Sequence, residues 1–413
     1  MFAEAIREGS YLEATIDTAV ATALGPAPDV RRILVPIGPV AVFGSSNFPF
    51  AFSVPGGDTA SALAAACPVV LKAHGSHPVT SRETFATIES AARASGAPAG
   101  SLGIVYGTDA GTKLVADSRI RAVGFTGSLG AATALQAVID GREEPIPFYG
   151  ELSSVNPLVI SHGAAIARAD LIGEDLFASF TGSAGQLCTK PGVAFVPTGP
   201  AGDTIVADLA RRTAAAEAQP LLNVRIHRSL ADIRARLIHD GGAKLVARST
   251  DGDGLTVGTS LLVIDADSVT SAVTEEAFGP LMVVVRYRSN ASLEAALRRV
   301  PKSLTATFHV EEDELAASAS LLALLEERAG RLVFNGYPTG VRVSWAQHHG
   351  GPWPATNTVH TSVGVSAIRR FQRPLAWQNA PQMVLPLELR DGPVDLPRRV
   401  DGRLVQPTSN RCR

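Results

Sequence analysis

The chain has 413 residues, 46% of them apolar, with 37 Lys+Arg against 39 Asp+Glu and three cysteines, a length that corresponds to about two or three domains. A net charge of −2 leaves no basic footprint for nucleic acid, and three cysteines make no disulfide scaffold but fit a reducing compartment. No apolar run reaches the ~18 residues of a membrane-spanning helix, and the N-terminus carries Glu4, Arg7 and Glu8 with no apolar stretch behind them, so a cytoplasmic protein without a secretion signal is expected.

Residues 2–12 predict a helix, followed by a Pro-containing connection. The run 31–44 reads as two short strands broken near Pro36 and Pro39. Residues 58–66 are Ala-rich and helical, with Asp58 or Thr59 as the expected cap. The run 68–74 is a buried parallel strand, and 81–96 a helix closed by Gly96. Strand 101–107, helix 110–117, strand 120–127 and helix 129–140, capped by Ser128, follow. Strands separated by helices of this length imply βαβ units and a parallel sheet. The alternation resumes after residue 157 and runs to about 335. Residues 335–358 then form a long Gly-, Pro- and aromatic-rich loop, the kind that carries function. The tail from Pro381 reads as a strand plus an exposed arm.

Cys67 lies in an apolar run and reads as a buried small hydrophobe, while Cys412 sits beside the C-terminus in a segment expected to be disordered. Cys188 differs. It lies in TGSAGQLCTKPG (181–192), where small residues give access to a thiol and backbone N–H groups can hold an oxyanion. By spacing alone, a structural cysteine there is an equal reading. Glu151 is either a satisfied structural carboxylate or a general base. Glu275 and Glu276 read alone as a solvated turn. His348, His349 and His360 match no metal-ligand spacing and C-x-x-C is absent, so no metal is expected. GFTGSLG (124–130) ends a strand and begins a helix, where free N–H groups favour an anion. Lysine occurs at only five positions (72, 113, 190, 244 and 302).

In their order, GPVAVFGSSNFPF (38–50), PVVLKAH (68–74), GFTGS (124–128), ELSSVNP (151–157), GQLCT (185–189), EEAFGP (275–280) and FNGYPTG (334–340) resemble the aldehyde dehydrogenase superfamily along nearly the whole chain. Segments such as HGGPWPAT and IRRFQRP look most like its branch acting on α-ketoglutarate semialdehyde. The resemblance implies an α/β fold with a Rossmann-type cofactor domain, an α/β catalytic domain and a small bridging or oligomerisation element. Residues 1–36 would give an N-terminal helix and bridging strand, 37–151 the NAD(P)-binding domain, 152–370 the catalytic domain and 371–413 a C-terminal strand and tail. Cys188 would attack the aldehyde, Asn47 and the Cys188 N–H would form the oxyanion hole, and Glu151 would activate water against the thioester. Lys72 would meet the adenosine ribose, Gly127 and Ser128 the pyrophosphate, Glu276 the nicotinamide ribose and Phe278 the nicotinamide ring. The product would be the acid of a small carboxylated aldehyde, from a homodimer or homotetramer, with no nucleic-acid or membrane partner. Arg342 and Arg373 are candidates for the substrate's carboxylate.

The departures from the family pattern carry expectations too. Gly75 stands where many NAD-preferring members place Glu; without that carboxylate a 2′-phosphate is tolerated, so NADP is expected to be preferred and NAD possible. Ala132 replaces a glycine, and Ser153–Ser154 replace a Gly-Gly pair beside Glu151. The family also carries a sizeable segment before the equivalent of Phe2, so the chain reads as shortened at its front. The alternative expectation is therefore a shortened, impaired or non-catalytic paralogue.

Overall fold

The computed structural model describes residues 1–271 and 275–407; Cys412 lies outside them. Three sheets organise the chain. The first is five-stranded and parallel, built from Val40–Phe43, Val69–Lys72, Leu102–Val105, Ala122–Thr126 and Phe148–Glu151. In space the order is third, second, first, fourth, fifth. The order reverses between Val40–Phe43 and Ala122–Thr126, and a sheet of this kind binds ligands in the crevice beyond the carboxyl ends of its strands there. Residues 45–47 and 126–128 leave those two ends. The central strands are apolar because helices cover both faces: Val40, Ala41, Val42 and Phe43 are all buried.

The second sheet has seven strands in the order Lys244–Arg248, Ser260–Asp265, Leu281–Tyr287, Val193–Pro197, Leu158–Ile160, Ser303–His309 and Ala329–Phe334. All its pairs are parallel except the first. Its strands supply Val159, Phe195, Leu262, Val283 and Phe308 to the largest apolar cluster. The third sheet mixes distant parts of the chain: Gln372–Gln378, Val30–Pro36, Thr15–Asp17, Arg398–Val400 and Arg403–Val405.

Most of the expected elements form, and the differences have local causes. The helix expected over 2–12 stops at Glu8, because Gly9 turns left-handed (φ 69°) and a short 3-10 turn follows. The next helix spans Gly57–Ala64 and has no side-chain cap. Asp58 does not cap it; its Oδ1 accepts from the Arg370 guanidinium at 2.6 Å. The helix expected from 81 begins at Pro78, which fits the first helical position. Ser128 does cap Leu129–Asp140, its hydroxyl accepting from the Ala131 N–H. Among the described residues the tail forms strands: Arg398–Val400 pairs in parallel with Thr15–Asp17, and the exposed Arg403–Val405 pairs with it in turn. Residues 335–364 contain neither helix nor strand, apart from one bridge between Thr356 and Glu151. Among the described residues no helix is long and apolar enough to cross a membrane.

The Asp58–Arg370 pair ties the first sheet's helix to the turn Val365–Phe371, and Phe371 packs into that sheet's core. Both side chains are buried. Removing one partner of a buried pair typically costs about 3–5 kcal/mol, because the other charge stays behind unpaired. Arg370→Ala is therefore expected to lower the chemical-denaturation stability by about that amount. A loss below ~1 kcal/mol, the range of exposed pairs, would show that the pair is not a structural tie.

Candidate active site

The chain passes from the first sheet to the second through residues 151–157, and the site is built on this crossing. Glu151 ends the last strand of the first sheet and is buried. Its Oε1 lies 2.9 Å from His349 Nε2, and its Oε2 accepts from Ser362 Oγ at 2.7 Å. Asn156 lies two residues before the strand Leu158–Ile160, in the left-handed region (φ 55°). Its amide donates to the carbonyls of Cys188 (2.8 Å) and Lys190 (3.0 Å), and its Oδ1 accepts from Ser154 Oγ (2.7 Å) and Thr305 Oγ1 (3.1 Å). The Cys188 loop is thus pinned to the crossing by one fully bonded side chain.

The approach to Cys188 is tight. Ser183, Ala184 and Gly185 all have positive φ, which costs about 1–3 kcal/mol for each non-glycine residue. A Cβ at Gly185 would stand 2.1 Å from the Gly279 carbonyl oxygen, so glycine is required where this loop meets the one carrying Glu276 and Phe278. Lys190, fully buried, clamps the same contact by donating to the carbonyls of Ala277 (2.8 Å), Gly279 (3.3 Å) and Leu281 (3.0 Å). Asn47 Nδ2 donates to the Gln186 carbonyl at 2.9 Å, two residues before the thiol. Cys188 Sγ is 3.7 Å from His349 Nε2.

A cavity of about 950 Å³ joins these groups. Seven of the eight expected site residues line it: Cys188, Glu151, Asn47, Gly127, Ser128, Glu276 and Phe278. Lys72 does not line it, but stands half-buried at the end of its strand beside His74, which does. Arg342 and Arg373 are exposed and line none of it; Arg373 pairs with Val35 in the third sheet.

Charge is arranged unevenly along the cavity. Burial pushes the Cys188 thiol well above its usual value, and the charge of Glu151 adds to this. Burial also raises Glu151, yet His349 beside it and the hydrogen bonds from His349, Ser362 and Cys188 bring it below the usual carboxylate value. Burial lifts Glu276 to about 7, against the pull of Ser153 and Lys190, and lowers Lys190 to about 8. At the other end, burial and the nearby Arg225 lower Lys72. His74 falls to about 4 through burial and the positive charges of Lys72, His77 and Arg225. Among the described residues Lys72 and Arg225 form no ion pair with a carboxylate, and two such neighbouring cations are a setting for an anion. At Gly75 a Cβ would meet nothing within 4 Å, which leaves space beside these cations. The dinucleotide that the fold implies fits: a capped helix start at Ser128, a cationic pocket at one end and a thiol at the other.

Reading the sequence missed four residues here. His349 and Ser362 hold Glu151, Asn156 holds the Cys188 loop, and Lys190 holds the loop of Glu276. The substituted serines also have defined contacts. Ser153 Oγ accepts from the Leu129 N–H at 3.3 Å and bonds Glu276, linking the helix start to that carboxylate. Ser154 Oγ accepts from the Leu304 N–H at 2.9 Å. Cys67 is buried and its thiol faces the Phe371 carbonyl.

A thiol, a buried carboxylate and a side-chain amide thus meet on one cavity beyond a Rossmann-type sheet, the arrangement the resemblance to the aldehyde dehydrogenases implies. Residues 11–352 match the model of the aldehyde dehydrogenase family, and the chain belongs to that family. It is 41% identical to the alpha-ketoglutaric semialdehyde dehydrogenase of Acinetobacter baylyi, over 98% of this chain and 78% of that protein. It is 40% identical to alpha-ketoglutaric semialdehyde dehydrogenase 2 of Azospirillum brasilense, with the same coverage. In fold it is similar to 1-pyrroline-5-carboxylate dehydrogenase from Thermus with bound NAD: TM-score 0.74, 22% identity, covering 91% of this chain and 72% of that one. The chain is thus an oxidoreductase of a family that uses NAD(P).

The thiol's environment gives a signed expectation. Because the Glu151 charge raises the Cys188 pKa, Glu151→Gln lowers it and increases the thiolate fraction. Alkylation of Cys188 by iodoacetamide at pH 8, followed by peptide mass spectrometry, is expected to be faster in Glu151→Gln than in the unaltered chain. A slower reaction would contradict this charge coupling.

Proposed function

We propose that this chain oxidises α-ketoglutarate semialdehyde, or a close carboxylated aldehyde, to the acid, with NADP preferred and NAD accepted. The observation that carries the reading is the meeting of Cys188, Glu151 and Asn47 on one cavity beyond the carboxyl ends of the first sheet. The names of the two relatives at 40–41% identity support the substrate. Lys72, His74 and Arg225, with open space at Gly75, support NADP. In this division of labour residues 37–151 hold the cofactor, 152–370 the catalytic groups, and 1–36 with 371–413 the bridging element. The third sheet ends on the exposed strand Arg403–Val405, which supports assembly into a homodimer or homotetramer. The protein acts in the cytoplasm, where its thiols stay reduced.

The residues act in sequence. The Cys188 thiol gives its proton to solvent in the cavity, and the sulfur attacks the aldehyde carbon to give a thiohemiacetal. The Asn47 amide and the Cys188 N–H hold the oxyanion; one such donor is typically worth ~2.7–4 kcal/mol. Phe278 and Glu276, both on the cavity wall, would hold a nicotinamide, which would supply the hydride acceptor. Glu151, kept ionised by His349 and Ser362, then takes a proton from water as the water attacks the Cys188 thioester, releasing the acid and the thiolate.

The purified chain is expected to reduce NADP faster with α-ketoglutarate semialdehyde than with succinic semialdehyde or an alkyl aldehyde. Folded protein without turnover on any of them would overturn the reading. Arg225→Ala removes a charge-assisted contact worth about 1.5–3 kcal/mol, so KM for NADP is expected to rise about ten- to a hundredfold while KM for NAD changes little. Equal effects on both would refute the 2′-phosphate site.

A further inference from the structure

Three potential metal-ligand atoms, a thiol sulfur, an imidazole nitrogen and a carboxylate oxygen, converge where the chemistry is proposed. Glu151 Oε1, Cys188 Sγ and His349 Nε2 all lie within 4.8 Å of one another. The sulfur–nitrogen separation is 3.7 Å and the oxygen–nitrogen separation 2.9 Å. A tetrahedral zinc with bonds of ~2.0–2.3 Å keeps such atoms about 3.3–3.6 Å apart, so shifts of less than ~1.5 Å bring all three to bonding geometry. The outer contacts that hold ligands are already present. Ser362 Oγ donates to the other oxygen of Glu151 (2.7 Å), and Thr361 Oγ1 accepts from the backbone N–H of His349 (2.8 Å), which fixes that residue's position in the loop. Glu151 and Cys188 line the open cavity, which leaves room for a water or a substrate oxygen at a fourth position.

We propose that the Glu151–Cys188–His349 cluster is a reversible inhibitory site for a borderline-soft divalent cation, Zn²⁺ in the first place. The ion binds as a thiolate complex. The Cys188 S–H bond breaks, its proton goes to solvent, and the sulfur's electron pair goes to the metal. The imidazole proton moves from Nε2 to Nδ1, which frees the Nε2 lone pair. One proton leaves per ion and nothing is oxidised. The nucleophile and the base are occupied together, so the chain is switched off and chelation restores it. Mg²⁺ and Ca²⁺, which prefer all-oxygen shells, do not compete. The three ligands are far apart in sequence, which is why no metal spacing is visible in it.

The test does not depend on the substrate proposed above. ZnSO₄ is titrated calorimetrically into the full chain in two buffers of different ionisation enthalpy, and CoCl₂ is used as a spectroscopic probe. The expected result is one ion bound, one proton released and a thiolate-to-cobalt charge-transfer band, with no binding of Mg²⁺. Carbamidomethylation of Cys188 in the unaltered protein, which needs no altered chain to fold, abolishes binding. His349→Gln abolishes or severely weakens it, and Ser362→Ala weakens it about 10–100-fold, as loss of an outer-shell contact does. Binding that persists after carbamidomethylation or in His349→Gln, or no binding by the unaltered chain, would overturn the proposal.

Discussion

The amide of Asn156 is the contact on which the site depends. It is buried, its two donors go to the carbonyls on either side of Thr189, and its acceptor takes the Ser154 and Thr305 hydroxyls. One side chain therefore fixes the position of the Cys188 loop relative to the segment carrying Glu151 and to the strand Ser303–His309. A buried polar group that is satisfied on every atom is costly to disturb, because any displacement leaves several partners unpaired. That cost supports the unfavourable backbone of Ser183 and Ala184 just ahead of the thiol.

A second constraint is electrostatic. The thiol and two carboxylates, Glu151 and Glu276, lie close together in a poorly hydrated place. Burial favours the neutral form of each. Glu151 escapes because His349 and Ser362 donate to it, while Glu276 rises to about 7 and Cys188 stays a thiol. Neighbouring acids with divergent proton affinities are the usual way to separate acid and base roles in one site. Here the separation is set by contacts from the long loop 335–364, which has no regular structure of its own.

Much of this was legible in the sequence. Parallel strands buried on both faces read as short apolar runs, so the first sheet was visible from its hydrophobic spacing. The ordered motifs located Cys188, Glu151, Asn47, Glu276 and Phe278, because these residues sit in short Gly- and Pro-containing turns with distinctive neighbours. The cap at Asp58 was misassigned because local preference says nothing of Arg370, which lies 312 positions away. His349 and Ser362 were illegible for the same reason: they reach Glu151 across 198 and 211 positions from a loop without periodicity. Nothing local in the sequence marks Lys190 as a clamp, because its partners, the carbonyls of Ala277, Gly279 and Leu281, lie 87 to 91 positions away. Arg342 and Arg373, candidates for the substrate's carboxylate by their place near the loop, do not line the cavity.

The central claim is that Cys188 carries the substrate as a thioester which Glu151 helps water to hydrolyse. The most direct measurement is intact-protein and peptide mass spectrometry of Glu151→Gln after brief mixing with NADP and α-ketoglutarate semialdehyde. The account predicts one acyl group per chain on the peptide of Cys188, formed together with one equivalent of NADPH and persisting because hydrolysis is impaired. Steady turnover in Glu151→Gln with Cys188 unmodified would contradict it.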